Sequence, residues 1–347
     1  MNGKERVLAA LAHQPTDRAP ANYEAHASVS ERLKARLGIV RFSELLEVLQ
    51  VDMRRISFSY WQADSAPDTD GYQRTLWGTR SHPALPDDHP DKWRDTFSET
   101  TTVAEVYAHR WPDPAALDYS GIRAQCERVA GKYATYGSPW CPFFHEVGWL
   151  IGQETLFMWL TEKPEVIDAL LDCVVTYEVE VTRRFLDACD GMLDILYVGN
   201  DYGTQRGLVV SPAMWDRFFR RPQKRFTDLA RAYGCKMMLH SCGSIRDILP
   251  WLIEDGVEII DPIQVRADGM ALDGLHRDFG TALSFHGGVD TQHTLPFGTP
   301  DDVRAEVRAY RALTRDHGGY ILTGSQQFID DIPEENILAM YEVGNRE

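Results

Sequence analysis

Residues 236–244, KMMLHSCGS, read as a buried strand running into His240, Ser241, Cys242 and Gly243. Two positions apart at a strand's end, His240 and Cys242 project to the same side, because successive strand residues alternate faces. An imidazole and a thiolate converging on one point are the beginning of a zinc site. A structural site is closed by four ligands and a catalytic one by three, with an open position. The competing reading is a buried histidine bonded to backbone beside a small, inert cysteine. Any further ligands have to come from other parts of the chain.

The elements that would position this pair alternate in type. Apolar, strand-like runs lie near residues 19–25, 52–58, 132–138, 195–200, 236–240, 258–262, 282–286 and 320–323, with helical periodicity between them. That alternation predicts a parallel sheet covered by helices. The spacing predicts helices over 163–189, 212–233 and 300–317; in the last, Thr299 is a natural N-cap and Pro300 suits the first helical position. Eight such units predict an α/β fold, a (β/α)8 TIM barrel, over residues 1–347 as a single domain. Residues 62–107, rich in Asp, Trp, Pro and Thr, are expected as a loop-rich insertion over the barrel mouth.

Barrels of this kind carry their chemistry at the C-terminal ends of the strands. The residues that follow the predicted strands are polar or aromatic almost everywhere. Tyr23, Glu24 and His26 follow the first, and Ser57 and Tyr60 the second. Trp140, Cys141, His145 and Glu146 follow the third. Asn200, Asp201, Tyr202 and Gln205 come next, then Asp261 and Gln264, then His286, Asp290 and Gln292, and finally Ser325, Gln326 and Gln327. Asp201 is a candidate for positioning substrate or acting as a general base, or for capping the turn that follows it. Glu146 is a candidate catalytic acid or a first-turn helix acid. Asp290, after the Gly287–Gly288 pair, either acts on substrate or caps a turn. Tyr23, Tyr60, Trp61, Trp140, Phe143 and Phe144 are placed to wall a flat substrate or to pack in the core.

Composition narrows the partners. With 52 acidic against 36 basic residues, the net charge of -16 argues against nucleic acid and anionic membrane, which demand a basic surface. No run approaches the ~20 apolar residues of a membrane span. The opening MNGKERVLAALAHQPTDR is charged and amphipathic, unlike a signal peptide, so a cytoplasmic location is expected. The six cysteines, at 126, 141, 173, 189, 235 and 242, are scattered and expected to be reduced thiols.

Several ordered segments carry a resemblance that runs nearly end to end: KERVLAALAHQPTDRAP, VGNDYGTQRGLVVSPAMWDRFFRRPQKR, HSCGS, IIDPIQV, FHGGVDTQHTLPFGTPDDVRAEV, and GGYIL followed by IPEENILAMYE. The chain resembles the uroporphyrinogen decarboxylase superfamily and, within it, the corrinoid-linked methyltransferases more than the decarboxylase proper. The decarboxylase carries an arginine motif near its N-terminus for a substrate with many carboxylates, and a histidine after its last strand. Here the corresponding positions are APANYEAH, residues 19–26, without arginine, and Gln326.

In the methyltransferase branch the resemblance implies zinc held by His240 and Cys242. Relatives take a third ligand, a Cys, at the position of Gln326, and more distant ones a Glu at that of Gln264. Both are neutral amides here, so the resemblance leaves the third ligand to another residue such as Glu146, Asp201, Asp290 or Cys141. It implies a methyl group moving between a small methylated compound or thiol and a cobalamin, with Asp201, Glu146 and Asp290 arranging the reaction and Tyr23, Tyr60, Trp140, Tyr202, Gln205, Gln264, His286 and Gln326 around substrate. This chain has no DxHxxG cobalamin motif, so the corrinoid would arrive on a partner protein. A decarboxylase of another substrate and a non-catalytic binding barrel remain the alternatives.

Overall fold

The computed structural model describes residues 1–58, 66–86, 89, 92–98 and 100–346. Its frame is one curled, wholly parallel sheet of seven strands: β1 (Met53–Arg55), β2 (Ala134–Trp140), β3 (Ile195–Gly199), β4 (Lys236–His240), β5 (Ile259–Asp261), β6 (Ser284–His286) and β7 (Tyr320–Ile321). They are neighbours in chain order. The register runs through Met53 opposite Ala134, Tyr136 opposite Ile195, Leu239 opposite Ile260 and Phe285 opposite Tyr320. The expected first strand forms single bridges at Ala21 and Ala25 in place of a ladder. Asn22 N donates to Leu322 O (2.9 Å) and Asp52 N to Ala21 O (2.8 Å), so this segment touches both edges of the sheet. Pro20 has no N–H to extend the pairing.

Alternation along the strands sorts the side chains. Leu196, Val198, Leu239, Ile260 and Phe285 belong to the large outer core under the helices. Met53, Tyr136, Ile195, Met238, Ile259 and Ile321 pack inside the curl, closed from below by Val7 and Leu11 of α1 (Gly3–Leu11). Continuing the same parity toward the C-terminal ends brings Arg55, Ser138, His240, Asp261 and His286 to the top of the interior.

The outer helices include α2 (Phe143–Ile151), α3 (Pro164–Cys189), α4 (Arg221–Ala232), α5 (Pro300–Thr314) and α6 (Glu334–Arg346). The cap expected on α5 is present: Thr299 Oγ1 accepts from Asp302 N (3.3 Å) and Asp302 returns a bond to Thr299 N (2.8 Å). The helix expected over 212–233 is divided into Pro212–Trp215, a wider π-type turn over Asp216–Arg220, and α4. Pro222 explains the wide turn, because it has no N–H to donate one turn back. The described part of the insertion forms a small antiparallel sheet (Gln73–Arg74, Arg80–Ser81, Trp93–Arg94) and a helix, Val103–Ala108. It packs against α2 and α3: Thr96 N bonds Leu150 O, and Trp77 packs edge-on to Tyr177. Among the described residues no helix is long and apolar enough to cross a membrane. All six cysteines are free of disulfides.

Candidate metal and substrate site

His240 closes β4 and the turn after it carries Cys242 back beside it, with His240 Nε2 3.4 Å from Cys242 Sγ. The turn is pinned from both sides. Asp201, just after β3, accepts from Cys242 N at 2.8 Å, and the amide oxygen of Gln264, after β5, accepts from Gly243 N. Gly243 has φ +78°, and a Cβ there would come within 2.5–2.7 Å of the Gly203–Thr204 backbone, so the crossing needs glycine. The same crossing brings Asp201 Oδ1 to 3.4 Å from His240 Nε2. Asp201, His240 and Cys242 thus offer one donor atom each, all within 4.8 Å of one another. Gln326 adds its amide, Nε2 lying 2.8 Å from Cys242 Sγ.

Behind this triplet sits a buried carboxylate. Asp261, at the end of β5, receives His240 Nδ1 on Oδ2 at 2.7 Å, His286 Nδ1 on Oδ1, and the Tyr197 hydroxyl on Oδ2. Burial pushes its pKa up, but the facing His286 and His240 outweigh burial and hold it well below the ordinary carboxylate value. With its Nδ1 proton directed at Asp261, His240 presents Nε2 to Cys242 and Asp201, the arrangement that orients ligating histidines in metal sites. Burial depresses the His240 pKa, and Asp201, Asp261 and Cys242 together raise it well above the usual value. For Asp201, burial is opposed by His240, the Cys242 amide and His145, and the pKa is lowered. His286 Nε2 receives the amide of Asn22 at 3.0 Å, so both of its ring nitrogens are occupied.

Trp140 covers one flank. It and Cys141 have positive φ (79° and 50°) after a register shift in β2, a conformation that non-glycine residues rarely adopt. The result lays the indole on Gly199, where a Cβ would meet the ring at 2.3 Å, and 5.0 Å from the His240 ring. The cavity so formed has a volume of about 850 Å³; Arg55, Trp140, Tyr197, His240, His286 and Gln326 are among its walls.

The structure brings Trp140, His240, His286 and Gln326 to this cavity, with Asp201 and Cys242 touching His240. Gln264 supports the turn. Other expected residues lie elsewhere. Glu146 is 1% exposed on the inner side of α2, where burial raises its pKa well above the carboxylate range, so it does not join the triplet. Cys141 is likewise enclosed, beside Thr182 Oγ1 at 3.1 Å. Asp290 caps the next turn through the amides of Gln292 and His293 and pairs with Arg266 at 2.7 Å. Tyr202 is in the core, bonded to Gln223, because its position in the loop turns it toward Phe144, Trp215 and Phe219. Gln205 is exposed on the loop beyond. Tyr23 bonds Ser30 and lines an adjoining cavity that shares Glu24 and Arg55 with the first. Tyr60 and Trp61 lie outside the described residues, and no described residue of 66–107 lines the cavity.

Four contributors were not singled out from the sequence: Asp261 as the link between two histidines, Tyr197, Asn22 and Arg55. Strand parity was a usable signal for two of them, since in ILYVG the inward set of Ile195 and Gly199 includes Tyr197. In MRR one of two adjacent arginines must face inward.

Residues 121–346 match the family described as uroporphyrinogen decarboxylase (URO-D). The methylated-thiol–coenzyme M methyltransferase of Methanosarcina mazei is 24% identical over 165 residues, 48% of this chain; the match spans only 41% of that relative's length. A solved structure of a methyltransferase from Methanosarcina mazei aligns with a TM-score of 0.67 at 16% identity, over 99% of this chain and 98% of that one, a likeness of fold.

Proposed function

We propose that this chain, which belongs to the uroporphyrinogen decarboxylase (URO-D) family, is a methyltransferase that moves a methyl group between a small methylated compound or thiol and a cobalamin carried by a partner protein. The supporting architecture is a (β/α)8 barrel in a single domain, its eighth position taken by the bridged segment 19–25. A cytoplasmic location fits the charge and reduced thiols. The methyltransferase relatives support the reaction class, and the observation that carries it is the triplet Asp201, His240 and Cys242 backed by Asp261.

The donor set fits zinc. Ligands at the usual zinc bond lengths and a tetrahedral angle stand about 3.3–3.6 Å apart, and His240 Nε2 is 3.4 Å from both Cys242 Sγ and Asp201 Oδ1. Three protein ligands with an open side toward a cavity are the pattern of a catalytic site. Zinc, when bound, lowers the pKa of a thiol so that it is a nucleophile near neutral pH, or polarises an ether oxygen. The chain's own residues prepare that chemistry. Asp261 fixes the His240 ring and its tautomer, Gln264 and Asp201 hold the Cys242 turn, and Gln326 lies against the Cys242 sulfur. Trp140 and Tyr197 give substrate an aromatic wall.

Protein purified without chelator is expected to carry close to one equivalent of zinc and to lose most of it in Cys242→Ala. A metal-free preparation from metal-replete cells overturns the zinc reading. Mixing the protein with a methylated corrinoid protein and a thiol is expected to change the corrinoid absorbance; no change with a panel of such partners argues for the decarboxylase alternative.

A further inference from the structure

Arg55 is a charge inside the curl that the mechanism above does not use. Its neighbour on β1, Arg54, points the other way: it donates to the carbonyls of Val51 and Met53 and lies 3.6 Å from the centre of the Tyr133 ring. Arg55 faces the cavity that His240 also lines. Among the described residues it makes no hydrogen bond and no ion pair. Its recorded contact is with the Tyr197 ring, 5.8 Å from the guanidinium carbon. Buried Arg6 and Arg18, by contrast, are both paired with Asp52. Arg55 is exposed to the cavity, so its guanidinium is solvated there and open to an anion that enters.

The surroundings bear on what that partner is. Partial desolvation by the cavity walls lowers the Arg55 pKa, but Tyr136, Glu24, Tyr197 and Asp261 outweigh that effect and raise it, so the group stays cationic. Glu24 itself is held by the Tyr136 hydroxyl at 2.9 Å. Asp261 is occupied by two histidines and a tyrosine. One cation with a carboxylate nearby suits one anionic group and repels a second. Tyr197 adjoins both groups: its ring centre is 5.8 Å from the Arg55 guanidinium carbon and 6.1 Å from the His240 ring centre, so one small molecule in the cavity can meet both.

We propose that the cavity binds a small molecule bearing a single carboxylate-type anion, which forms a two-pronged pair with Arg55 while the other end of the molecule reaches His240 and Cys242. The location of that reacting end rests on the methyltransferase reading; the anion site does not. A guanidinium fork matches a carboxylate with two parallel, charge-assisted hydrogen bonds, so the anion sets orientation as well as affinity.

The test uses propionate and 1-propanol, matched in size, titrated into chelator-treated protein and followed by NMR. Propionate is expected to bind at least about tenfold more tightly. Arg55→Met should remove that preference, Arg55→Lys should keep part of it, and Glu24→Gln should strengthen it, with thermal unfolding confirming that each variant is folded. Equal affinities of the two probes for the unaltered protein, no detectable binding of propionate, or unchanged propionate binding in Arg55→Met each overturns the proposal. The same comparison with 3-mercaptopropionate and 3-mercapto-1-propanol on zinc-loaded protein separates the two readings. A carboxylate preference that persists in Cys242→Ala supports the anion site even if the metal reading fails.

Discussion

At the N-terminal ends of the strands, Asp52 has both carboxylate oxygens taken. Arg6 Nη1 reaches Oδ1 at 2.6 Å, Arg18 Nη1 reaches Oδ2 at 2.7 Å, and the Ala21 amide donates to Oδ2 at 2.9 Å. Asp17 closes the outer side of Arg6. At the C-terminal ends the charges are incompletely matched: Asp261 is saturated, but His240, with Cys242 beside it, lines an open cavity and Arg55 has no counter-ion among the described residues. Both regions bury charge on the same sheet. Where every donor and acceptor has an internal partner, the cluster ties α1, the 18–21 segment and β1 together; where valences are left over, the missing partner comes from outside. That polarity is the division between stability and chemistry common to folds with active sites at the C-terminal ends of parallel strands.

The comparison is tested most severely by removing each region's central carboxylate. Asp52→Ala leaves two buried guanidinium groups without their shared anion and is expected to cost about 3–5 kcal/mol of stability, read from urea unfolding, while zinc content per folded molecule stays unchanged. A fall in zinc content would show that the lower cluster also governs the site. Asp261→Asn keeps the shape but loses the charge that orients His240, and is expected to weaken zinc about 10- to 100-fold, measured by competition with a chromogenic chelator. If affinity is unaltered, the upper cluster is structural like the lower one.

Gln326→Cys is expected to tighten zinc, because it puts a thiolate beside Cys242 in place of a neutral amide. The gain should vanish in a Cys242→Ala background. No gain in the single variant would place the completed ligand set on Asp201, His240 and Cys242 without Gln326. The smallest effect is expected at half-exposed Asp17. Its hydrogen bond to Arg6, opposed by burial and aided by the N-terminal ammonium, lowers its folded pKa. A lowered carboxylate pKa contributes stability that is present above the unfolded value near ~4 and is lost as pH falls toward the folded value. Asp17→Asn should therefore reduce stability slightly at neutral pH and flatten its decline in acid, by no more than about 1 kcal/mol. An unchanged acid limb would mean that Asp52 alone accounts for the lower cluster.

The fold was legible to the extent that it depends on alternation. The strand runs at 195–200, 236–240 and 282–286 and the cap at Thr299 follow from period and local chemistry, and the structure has β3, β4, β6 and α5 there. Pro20 and Pro222 mark where local rules are interrupted, in a bridged segment and in a π-type turn. The site was legible only where two groups share one strand end, as His240 and Cys242 do. Glu146 and Tyr202 stand at equally suitable places in the sequence, yet the first is buried toward Trp77 and the second faces the helix over 212–215. Which side of a short loop or first helical turn meets the cavity is set by packing, and no period predicts it.

By itself the sequence determined the parity of each strand, the cation-poor composition and the HSCGS turn, because these rest on nearest-neighbour geometry. The tertiary structure decided that Asp201 stands beside His240 and Cys242, that Asp261 joins two histidines 46 positions apart, and that Arg55 shares their cavity. These residues come from different strands, and only the curling of the sheet brings their ends to one point.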